Sequence, residues 1–413
     1  MIVPDEITAA RRALGRSLAA YREAAGYSQH ALAPLVHYGR STIANVEVGR
    51  QNAPRAFWQR CDEVLNASGA LLEAYERLRV LIYQQQRAVA RRAAWSYVET
   101  NDDAVLETRP RTRHGLLDAD VAGHADRLLR LFLQLDATMG GDDLYEPMTR
   151  YVERVARATT EQPRPAALHG LSQLSQMAGW LALDSNRHGA ARRYFTTAIQ
   201  IAHEADNPSL AASSLAYLSL QETYRNNPKR AQALATTAVH VAGDCATPLV
   251  RTMLGTRLAR VHAKLGNRAE SLHALGDAAE AFARAGQSDE PLWISYVDAI
   301  ELTAQSGACY LDLGMYADAD AALTSAIEML KTSRPERIRD HVHYLSRLAK
   351  CYLLAGDVEQ ACAIGMQAID LVLAVGSSRV IERLDEFAVA LAPVKAQAAR
   401  EFRENFQLVK QSS

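Results

Sequence analysis

The sequence predicts an all-α protein with a small N-terminal helical domain and a longer array of helical repeats. Apolar residues recur every three or four positions along most of the chain, which is the period of a helix, and few stretches alternate as strands do. Segments of about 20 residues with small residues at fixed places recur in the C-terminal part. The chain has 413 residues, 48% of them hydrophobic and 23% charged, which fits a globular protein of more than one domain.

The first predicted helix covers residues 8–25 and is amphipathic. Leu14, Leu18 and Tyr21 fall on one of its faces, at the three- to four-residue spacing of a helix. We expect this face to pack against the rest of the N-terminal domain, because an apolar stripe on a helix is stable only when it is covered.

Two short helices joined by a tight turn are predicted next. Ser28 can cap the first of them, because its hydroxyl accepts hydrogen bonds from the free amides of a first helical turn. The second begins at Arg40 and ends at Gly49, and Ile43 and Val46 form its inward face. A short helix, a turn and a second helix with polar residues at its start is the arrangement that enters the major groove of DNA.

This segment resembles the Cro/C1-type, or XRE-type, family of helix-turn-helix repressors over roughly residues 8–70. Two positions depart from the family. His37-Tyr38-Gly39 stands where Gly-Val-Ser is usual, and Pro34 lies inside the first motif helix, where Pro costs about 3 kcal/mol unless it falls near the first turn. The resemblance implies a five-helix, lambda-repressor-like fold. The residues that carry it are Ser28-Gln29, Leu32-Ala33, Ile43, Glu47, Gly49 and Pro54.

Further helices complete the predicted N-terminal region. Phe57, Trp58 and Cys61 begin an apolar pattern at helical spacing, so a helix there closes the small core. Residues 70–97 are predicted to form a long helix, and the polar segment 99–114 a linker. The predicted domains are a DNA-binding domain at 1–70, a connecting helix and linker at 71–117, and a repeat domain at 118–413.

Helical hairpin repeats are predicted for the rest of the chain. Their small residues mark the places where paired helices touch, and glycines at Gly266, Gly314 and Gly356 are placed to end a first helix in a left-handed turn. The pattern resembles the tetratricopeptide repeat, although the copies are spaced more widely than its period of about 34 residues. Degenerate copies are plausible at 118–165 and after 370. The copies are 179–198, 259–278, 307–326 and 349–368, with a weaker one at 219–238.

Sequence patterns of catalysis and metal binding are absent. The chain has no GxxxxGK[ST] or GxGxxG phosphate loop, no GxSxG elbow and no HExxH pair, so we expect neither an enzyme nor a cofactor or metal. The 5 cysteines are scattered, as in the reduced thiols of a cytoplasmic protein. No apolar run approaches the roughly 20 residues of a membrane helix. The net charge of −1 is compatible with DNA binding, which needs only local basic residues.

The resemblance assigns base-contacting residues to the second motif helix. Matching its positions places Arg40, Ser41 and Thr42 at the entering end of this recognition helix, with Asn45 one turn on. Arg40 is the best candidate for bidentate hydrogen bonds to guanine, which contribute about 1–3 kcal/mol of discrimination. Asn45 either reads adenine or caps the helix and contacts phosphate.

Backbone contacts to DNA are expected at the edges of the motif. Gln29 opens the first motif helix, where its amide can hold a phosphate, and Arg50 is expected to clamp the backbone. Glu47 is expected to make a contact within the fold, because a carboxylate facing phosphates is repelled. Family members bind as dimers on half-sites roughly 34 Å apart, which implies a homodimer on a palindromic double-stranded operator. Either the repeat domain or the 70–97 helix is expected to supply the dimer contact.

The concave face of the repeat domain is the predicted ligand site. By analogy with tetratricopeptide units, side chains of the first helix of each repeat line this face. Long polar groups with charges of both signs suit an extended peptide, and the alternative is an ordinary solvated helix face. The candidates are Gln173, Gln176, Trp180, Arg260, Lys264, Glu301, His343 and Lys350, with Asp184, Thr256, Asp312 and Ser346 in the same register.

A helix-turn-helix domain followed by such repeats resembles the peptide-sensing regulators of Gram-positive quorum sensing. The resemblance implies a cytoplasmic transcriptional regulator whose groove binds a short signalling peptide and changes the spacing of two DNA-binding domains. Two other functions stay open. One is a DNA-binding regulator controlled by a protein partner or a small molecule, and the other is an adaptor whose repeats scaffold a protein complex.

Overall fold

The computed structural model describes residues 4–82, 84–85, 118–161, 164–286 and 289–410. Every regular element within these ranges is helical, so the predicted all-α class is confirmed. Contacts divide the chain into two compact units, Met1–Ala90 with Gln407–Ser413 and Arg91–Phe406. The predicted linker at 99–114 and the end of the predicted 70–97 helix lie outside the described residues, and the predicted domain boundaries stay predictions. No helix in the described ranges is long and apolar enough to cross a membrane.

The N-terminal unit packs short helices around one apolar core. Leu18, Ile43, Phe57 and Leu71 are each 0% exposed in this core. The inward faces predicted for the first helix and the recognition helix are therefore confirmed, and the helix that follows residue 69 belongs to the same core. The helices are α1 (Pro4–Ala24), α2 (Gln29–Leu35), α3 (Arg40–Glu47), α4 (Arg55–Val64) and α5 (70–82).

Helix α3 lies very close to α1 at Gly15. A Cβ atom at Gly15 would lie 2.4 Å from the carbonyl oxygens of Val46 and Glu47. Only a residue without a side chain allows this approach. The crossing therefore holds the C-terminal end of α3 against α1.

The α2–α3 turn contains both departures from the family pattern. His37 occupies the left-handed region at φ 61°, at the position where the family usually has Gly. Pro34 lies in the last turn of α2. The expectation that a position near the first turn removes the cost of this proline is therefore wrong. Its missing N–H would have donated to the His30 carbonyl, and because α2 ends at Leu35 only one helical bond is lost.

Replacing His37 by Gly is expected to stabilise the N-terminal unit by about 0.5–1 kcal/mol. The left-handed strain of an L-residue is removed, and part of the gain is offset by the greater freedom of Gly in the unfolded chain. Hydrogen exchange of the α2 and α3 amides measures the change. The same substitution at His30, inside α2, should have the opposite sign. Faster exchange in His37→Gly would show that the side chain contributes more than its strain costs.

The C-terminal unit is an array of helical hairpins. Consecutive helices pack in pairs, and each pair packs on the next, as the predicted repeat array requires. Two short 3-10 segments, Gly243–Cys245 and Leu292–Ile294, interrupt the connections. The helices are α6 (Asp118–Asp136), α7 (Gly141–Glu161), α8 (Pro165–Asp184), α9 (His188–Glu204), α10 (Pro208–Tyr224), α11 (Pro228–Ala242), α12 (Pro248–Lys264), α13 (Arg268–Ala283), α14 (Ala299–Asp312), α15 (Tyr316–Ser333), α16 (Ile338–Ala355), α17 (Val358–Val372), α18 (Ser378–Ala390) and α19 (Gln397–Lys410), of which the part up to residue 406 belongs to this unit.

A left-handed residue joins the two helices of each recurring pair from α8–α9 to α16–α17. Gly266, Gly314 and Gly356 have positive φ, which confirms their predicted role. Asn186 and Asn226, each at φ 57°, take the same place in the two copies that lack the glycine. Asn is the residue that tolerates this region best after Gly, so the weaker copy at 219–238 has the same turn as the others.

The small residues of the repeat pattern lie where paired helices touch. Ser219 Oγ donates to the Ala231 carbonyl at 2.7 Å, and Ser271 Oγ donates to the Ala259 carbonyl at 2.9 Å. A serine at either position thus donates its hydroxyl hydrogen bond to a carbonyl of the facing helix. A larger side chain there would push the two helices apart. The thirteenth residues of the copies are all 0% exposed, and they are Ala191, Ala231, Ser271, Ala319 and Ala361.

Candidate functional sites

The exposed start of α3 is the candidate DNA-contacting surface. Arg40 and Ser41 are exposed, whereas Thr42 and Asn45 are half-buried. Gly39 precedes the helix in an extended conformation and provides no side-chain cap. Within the described ranges no carboxylate pairs with Arg40. Its guanidinium is therefore available to an acceptor outside the protein, as the sequence-based assignment requires.

A buried ion pair positions α3 relative to α1 and α2. Arg22 Nε donates to Glu47 Oε1 at 2.6 Å, and Gln29 Nε2 donates to Glu47 Oε2 at 2.7 Å. Arg22 Nη1 also donates to the Tyr27 carbonyl at 2.9 Å. The hydrogen bond to Glu47 raises the pKa of Arg22. The expected role of Glu47 within the fold is confirmed, and the Gln29 side-chain amide donates to it.

Sequence reasoning missed Arg22. It lies one helical turn after Leu18 on the apolar face of α1, and a charged residue at such a position indicates a buried partner. Both Arg22 and Glu47 are 8% exposed. At the other end of the motif, Arg50 is exposed just after α3, where its N–H donates to the Asn45 carbonyl at 2.8 Å.

A cavity of about 570 Å³ lies among the first helices of the repeats. Helices α6, α8, α10, α12, α14, α16 and α18 contribute to its wall, together with the Leu292–Ile294 segment. Three of the eight predicted ligand residues do not line this cavity. Arg260 and Lys264 bind Asp312, at 2.6 and 2.9 Å, and Lys350 is exposed. The predicted residues that line the cavity are Gln173, Gln176, Trp180, Glu301 and His343.

Trp180 lines this cavity, and two arginines lie near its ring. Its indole Nε1 donates to Asp136 Oδ2 at 2.9 Å. The guanidinium carbons of Arg339 and Arg379 lie 5.2 and 4.7 Å from its ring centroid, within cation–π range. Arg339 also pairs with Asp136. Trp180 therefore contacts one carboxylate and two guanidinium groups of the wall.

Asp184 joins helices from both ends of the unit. Its side chain is 0% exposed and accepts from the Gly141 N–H at 2.8 Å and from Arg379 Nε at 3.1 Å. The backbone of Gly376 adds a reciprocal pair, donating to the Met139 carbonyl and accepting from the Asp142 N–H, each at 2.8 Å. The first and last hairpins thus meet at one place. We call this group the closure cluster, and its side chains are Asp136, Asp184, Trp180, Arg339 and Arg379.

Burial and nearby arginines shift the pKa values of groups on the cavity wall. Burial, reinforced by Arg347 and other arginines, lowers the pKa of His343 well below its usual value, so the imidazole is neutral. Burial raises the pKa of Tyr224, but the nearby positive charges of Arg379 and Arg347 outweigh it and lower the pKa to about 8. The Tyr224 hydroxyl accepts from Arg379 Nη1 at 3.0 Å. The arginines therefore favour negative charge at Tyr224, whereas burial raises the pKa values of Tyr344 and Asp340 and disfavours negative charge there.

The N-terminal motif matches a known family, and the solenoid has distant structural neighbours. Residues 13–75 match the family described as "Helix-turn-helix domain". No curated protein matches the chain. Aspartyl phosphate phosphatase F from Bacillus subtilis is 14% identical, with a TM-score of 0.48 over 92% of this chain and 97% of its own. A signal transduction ATPase with a tetratricopeptide repeat sensor from Pyrococcus horikoshii is 12% identical, with a TM-score of 0.40 over 95% and 55%. At TM-scores below 0.5 neither similarity supports a conclusion about function.

The architecture follows from these observations. The chain has an N-terminal helix-turn-helix domain, and a helical, tetratricopeptide-like solenoid follows it. Both parts of the predicted fold are confirmed. The solenoid differs from an open array because the closure cluster joins its first and last hairpins.

Proposed function

We propose that this protein is a sequence-specific DNA-binding transcriptional regulator that acts by binding rather than by catalysis. The observation that carries the proposal is the exposed start of α3. Arg40 is exposed there without a carboxylate partner among the described residues, in a domain that matches the helix-turn-helix family. The buried Arg22–Glu47 pair holds the other end of the same helix. A fixed helix with a free guanidinium at its entering end suits direct readout of guanine.

The regulator belongs, in this proposal, to the XRE type and binds its operator as a homodimer. One small domain offers few base contacts, and two copies on a palindrome with half-sites roughly 34 Å apart double them. Gln29 and Arg50 flank the proposed reading residues and contact phosphates. One side-chain N–H of Gln29 already donates to Glu47, so a phosphate would accept from its second N–H or from the backbone N–H.

The solenoid is the proposed sensor, and its ligand is a short peptide in the cavity. Polar groups from several helices face one space, including Gln173, Gln176 and Glu301. A ligand regulates DNA binding only if it binds one arrangement of the protein better than another. The closure cluster is a suitable element through which a ligand favours one arrangement over another. It links α6 and α8 to α16 and α18 at the wall of the cavity.

A small-molecule ligand is the second candidate. The cavity volume of about 570 Å³ lies in the range of roughly 300–1,000 Å³ that is usual for small-molecule sites. An extended protein segment would need a longer open groove. The volume therefore favours a short peptide or a small molecule over a protein partner or a scaffolding role.

Arg40→Ala is expected to reduce the preference for specific over random DNA by roughly 5- to 150-fold. The substitution removes a bidentate base contact, with a typical contribution of about 1–3 kcal/mol, and leaves the phosphate contacts in place. Mobility shifts with a genomic fragment selected by the wild-type protein, and with random DNA at the same salt concentration, measure the ratio. Arg77→Ala, on an exposed arginine of α5, is the control. An unchanged ratio in Arg40→Ala would refute the assignment.

A further inference from the structure

Two buried glutamines on the cavity wall each leave one end of the side-chain amide without a hydrogen bond. Gln176 is 4% exposed and Gln305 is 7% exposed, and both line the cavity. Ser214 Oγ donates to Gln176 Oε1 at 2.9 Å, and Gln305 Nε2 donates to Glu301 Oε1 at 2.8 Å. Within the described ranges no hydrogen bond forms to Gln176 Nε2 or to Gln305 Oε1. The wall therefore offers one amide donor from α8 and one amide acceptor from α14.

These two atoms can be reached from the cavity. Gln173 Oε1 and Trp293 Nε1 also lack a partner among the described residues, but both are sealed inside the protein, whereas Gln176 Nε2 and Gln305 Oε1 keep accessible surface. Because both residues are more than 90% buried and line the cavity, this surface faces the cavity. The orientation of the Gln305 amide is fixed, since the Glu301 carboxylate accepts and the amide nitrogen must therefore face it.

The charges of the cavity wall are matched within the protein. Arg257, Arg339 and Arg379 are buried, and each pairs with a carboxylate. Arg130 is exposed to solvent, and His343 is neutral because its pKa is lowered. A charged group of a ligand would thus lose its hydration without finding a free buried partner. The pairs are Asp136 with Arg339, Glu301 with Arg257, Asp184 with Arg379, Asp298 with Arg337, Glu336 with Arg334 and Asp340 with Arg339.

We propose that the cavity binds an uncharged ligand with amide groups, in which Gln176 Nε2 donates to a carbonyl oxygen and Gln305 Oε1 accepts from an N–H. This inference rests on the proposed sensor function of the solenoid and specifies the chemistry of its ligand. Amides present a donor and an acceptor without net charge, so they match both glutamines. Apolar side chains of the same wall contact the hydrocarbon part of the ligand, and they are Leu129, Leu133, Met177, Leu220 and Leu292.

Calorimetry of the full-length protein with three leucine derivatives tests whether the ligand is uncharged. Acetyl-leucinamide is neutral, acetyl-leucine carries a carboxylate, and leucinamide carries an ammonium group. The neutral probe is expected to bind roughly tenfold or more tightly than either charged probe, because an unpaired charge loses its hydration in the cavity. Equal or tighter binding of a charged probe would overturn the inference and leave the sensor function standing.

Gln305→Met tests the acceptor and keeps much of the side-chain volume. The affinity for acetyl-leucinamide is expected to fall by roughly 2- to 13-fold, as for the loss of a neutral hydrogen bond. Acetyl-N-methylleucine dimethylamide keeps both carbonyl groups but has no N–H, so it should bind the wild-type protein more weakly than acetyl-leucinamide does. In Gln305→Met this difference should shrink by the same factor. A substitution that weakens both probes alike would give Gln305 a structural role only and overturn the inference.

Gln176→Met tests the donor, and Gln397→Met is the matched control for both variants. Gln176→Met should weaken both amide probes alike, because both keep their carbonyl oxygens. Gln397 Nε2 donates to Glu401 Oε1 at 2.8 Å on the exposed side of α19, which is the same bond between residues four apart as in the Glu301–Gln305 pair. Gln397→Met should leave every affinity unchanged. Affinities that do not change in Gln176→Met and Gln305→Met, or that fall equally in Gln397→Met, would refute the proposed contacts.

Mobility shifts with DNA, measured without the probes, separate this inference from the proposed regulator function. If no probe binds a protein that still binds DNA, the inference and the ligand-binding role of the cavity fail, and the regulator function stands. Probe binding that depends on Gln176 and Gln305 in a protein that binds no DNA would refute only the regulator function.

Discussion

Glu47→Gln is expected to destabilise the N-terminal unit by about 3 kcal/mol and to abolish specific DNA binding at physiological temperature. The substitution keeps the shape of the side chain but leaves Arg22, which is 8% exposed, without its buried counter-charge. Breaking a buried ion pair from one side typically costs about 3–5 kcal/mol. Because small domains are stable by only about 5–15 kcal/mol, this loss is a large part of the total.

Glu23→Gln is the matched control for this prediction. Glu23 pairs with the same guanidinium, at 3.2 Å, but its side chain is 69% exposed. Solvent screens such a pair, and its loss should cost less than about 1 kcal/mol. Urea unfolding of the N-terminal unit, followed by hydrogen exchange of the α3 amides, compares the two variants. Equal effects would show that burial of the Arg22–Glu47 pair is not what fixes α3.

Asp184→Asn is expected to destabilise the C-terminal unit by about 3–5 kcal/mol. Asp184 is fully buried and binds Arg379, while Arg339 lies 3.8 Å away. Its carboxylate also accepts the Gly141 N–H. The neutral amide would leave buried guanidinium charge without compensation and would turn an N–H donor toward other donors. We expect α18 to separate from α8 before the hairpins themselves unfold, because the hairpins keep their own cores.

Asp244→Asn tests whether the effect is specific to the closure cluster. Asp244 is fully exposed and lies 4.0 Å from Arg251, so its replacement should change nothing measurable. Hydrogen exchange along the solenoid distinguishes the outcomes. Increased exchange that begins at α18 and the 137–142 turn supports closure by Asp184. Uniform loosening of all hairpins, or no change, would contradict it.

The repeats were predicted from the sequence because their determinants are local. Small residues at the paired positions and a left-handed residue in each turn act within one hairpin of about 40 residues. Asn186 and Asn226 were missed as turn residues, since sequence reasoning assigned this role only to glycine. Glu47 was also assigned correctly, from the repulsion between a carboxylate and phosphates.

The predicted ligand residues show what the position of a residue within a repeat can and cannot predict. Gln173, Trp180 and His343 reach the cavity, whereas Arg260 and Lys264 pair with Asp312. Position within a repeat decides which face a side chain is on. Whether a charged group there is free depends on the charges of the neighbouring repeat, which the position alone does not specify. Whether any of these residues binds a ligand stays a prediction.

By itself the sequence determined the helical class, the motif helices with their inward faces, and the hairpin turns, because each depends on residues within a few turns of one another. The tertiary structure alone decided that Asp184 meets Arg379, 195 positions away, and that Arg260 and Lys264 share Asp312. The small rotation between successive hairpins accumulates along the array, and only its sum brings the two ends together. The charge pairing in the closure cluster depends on that meeting of the two ends, so it could not be read from any single repeat.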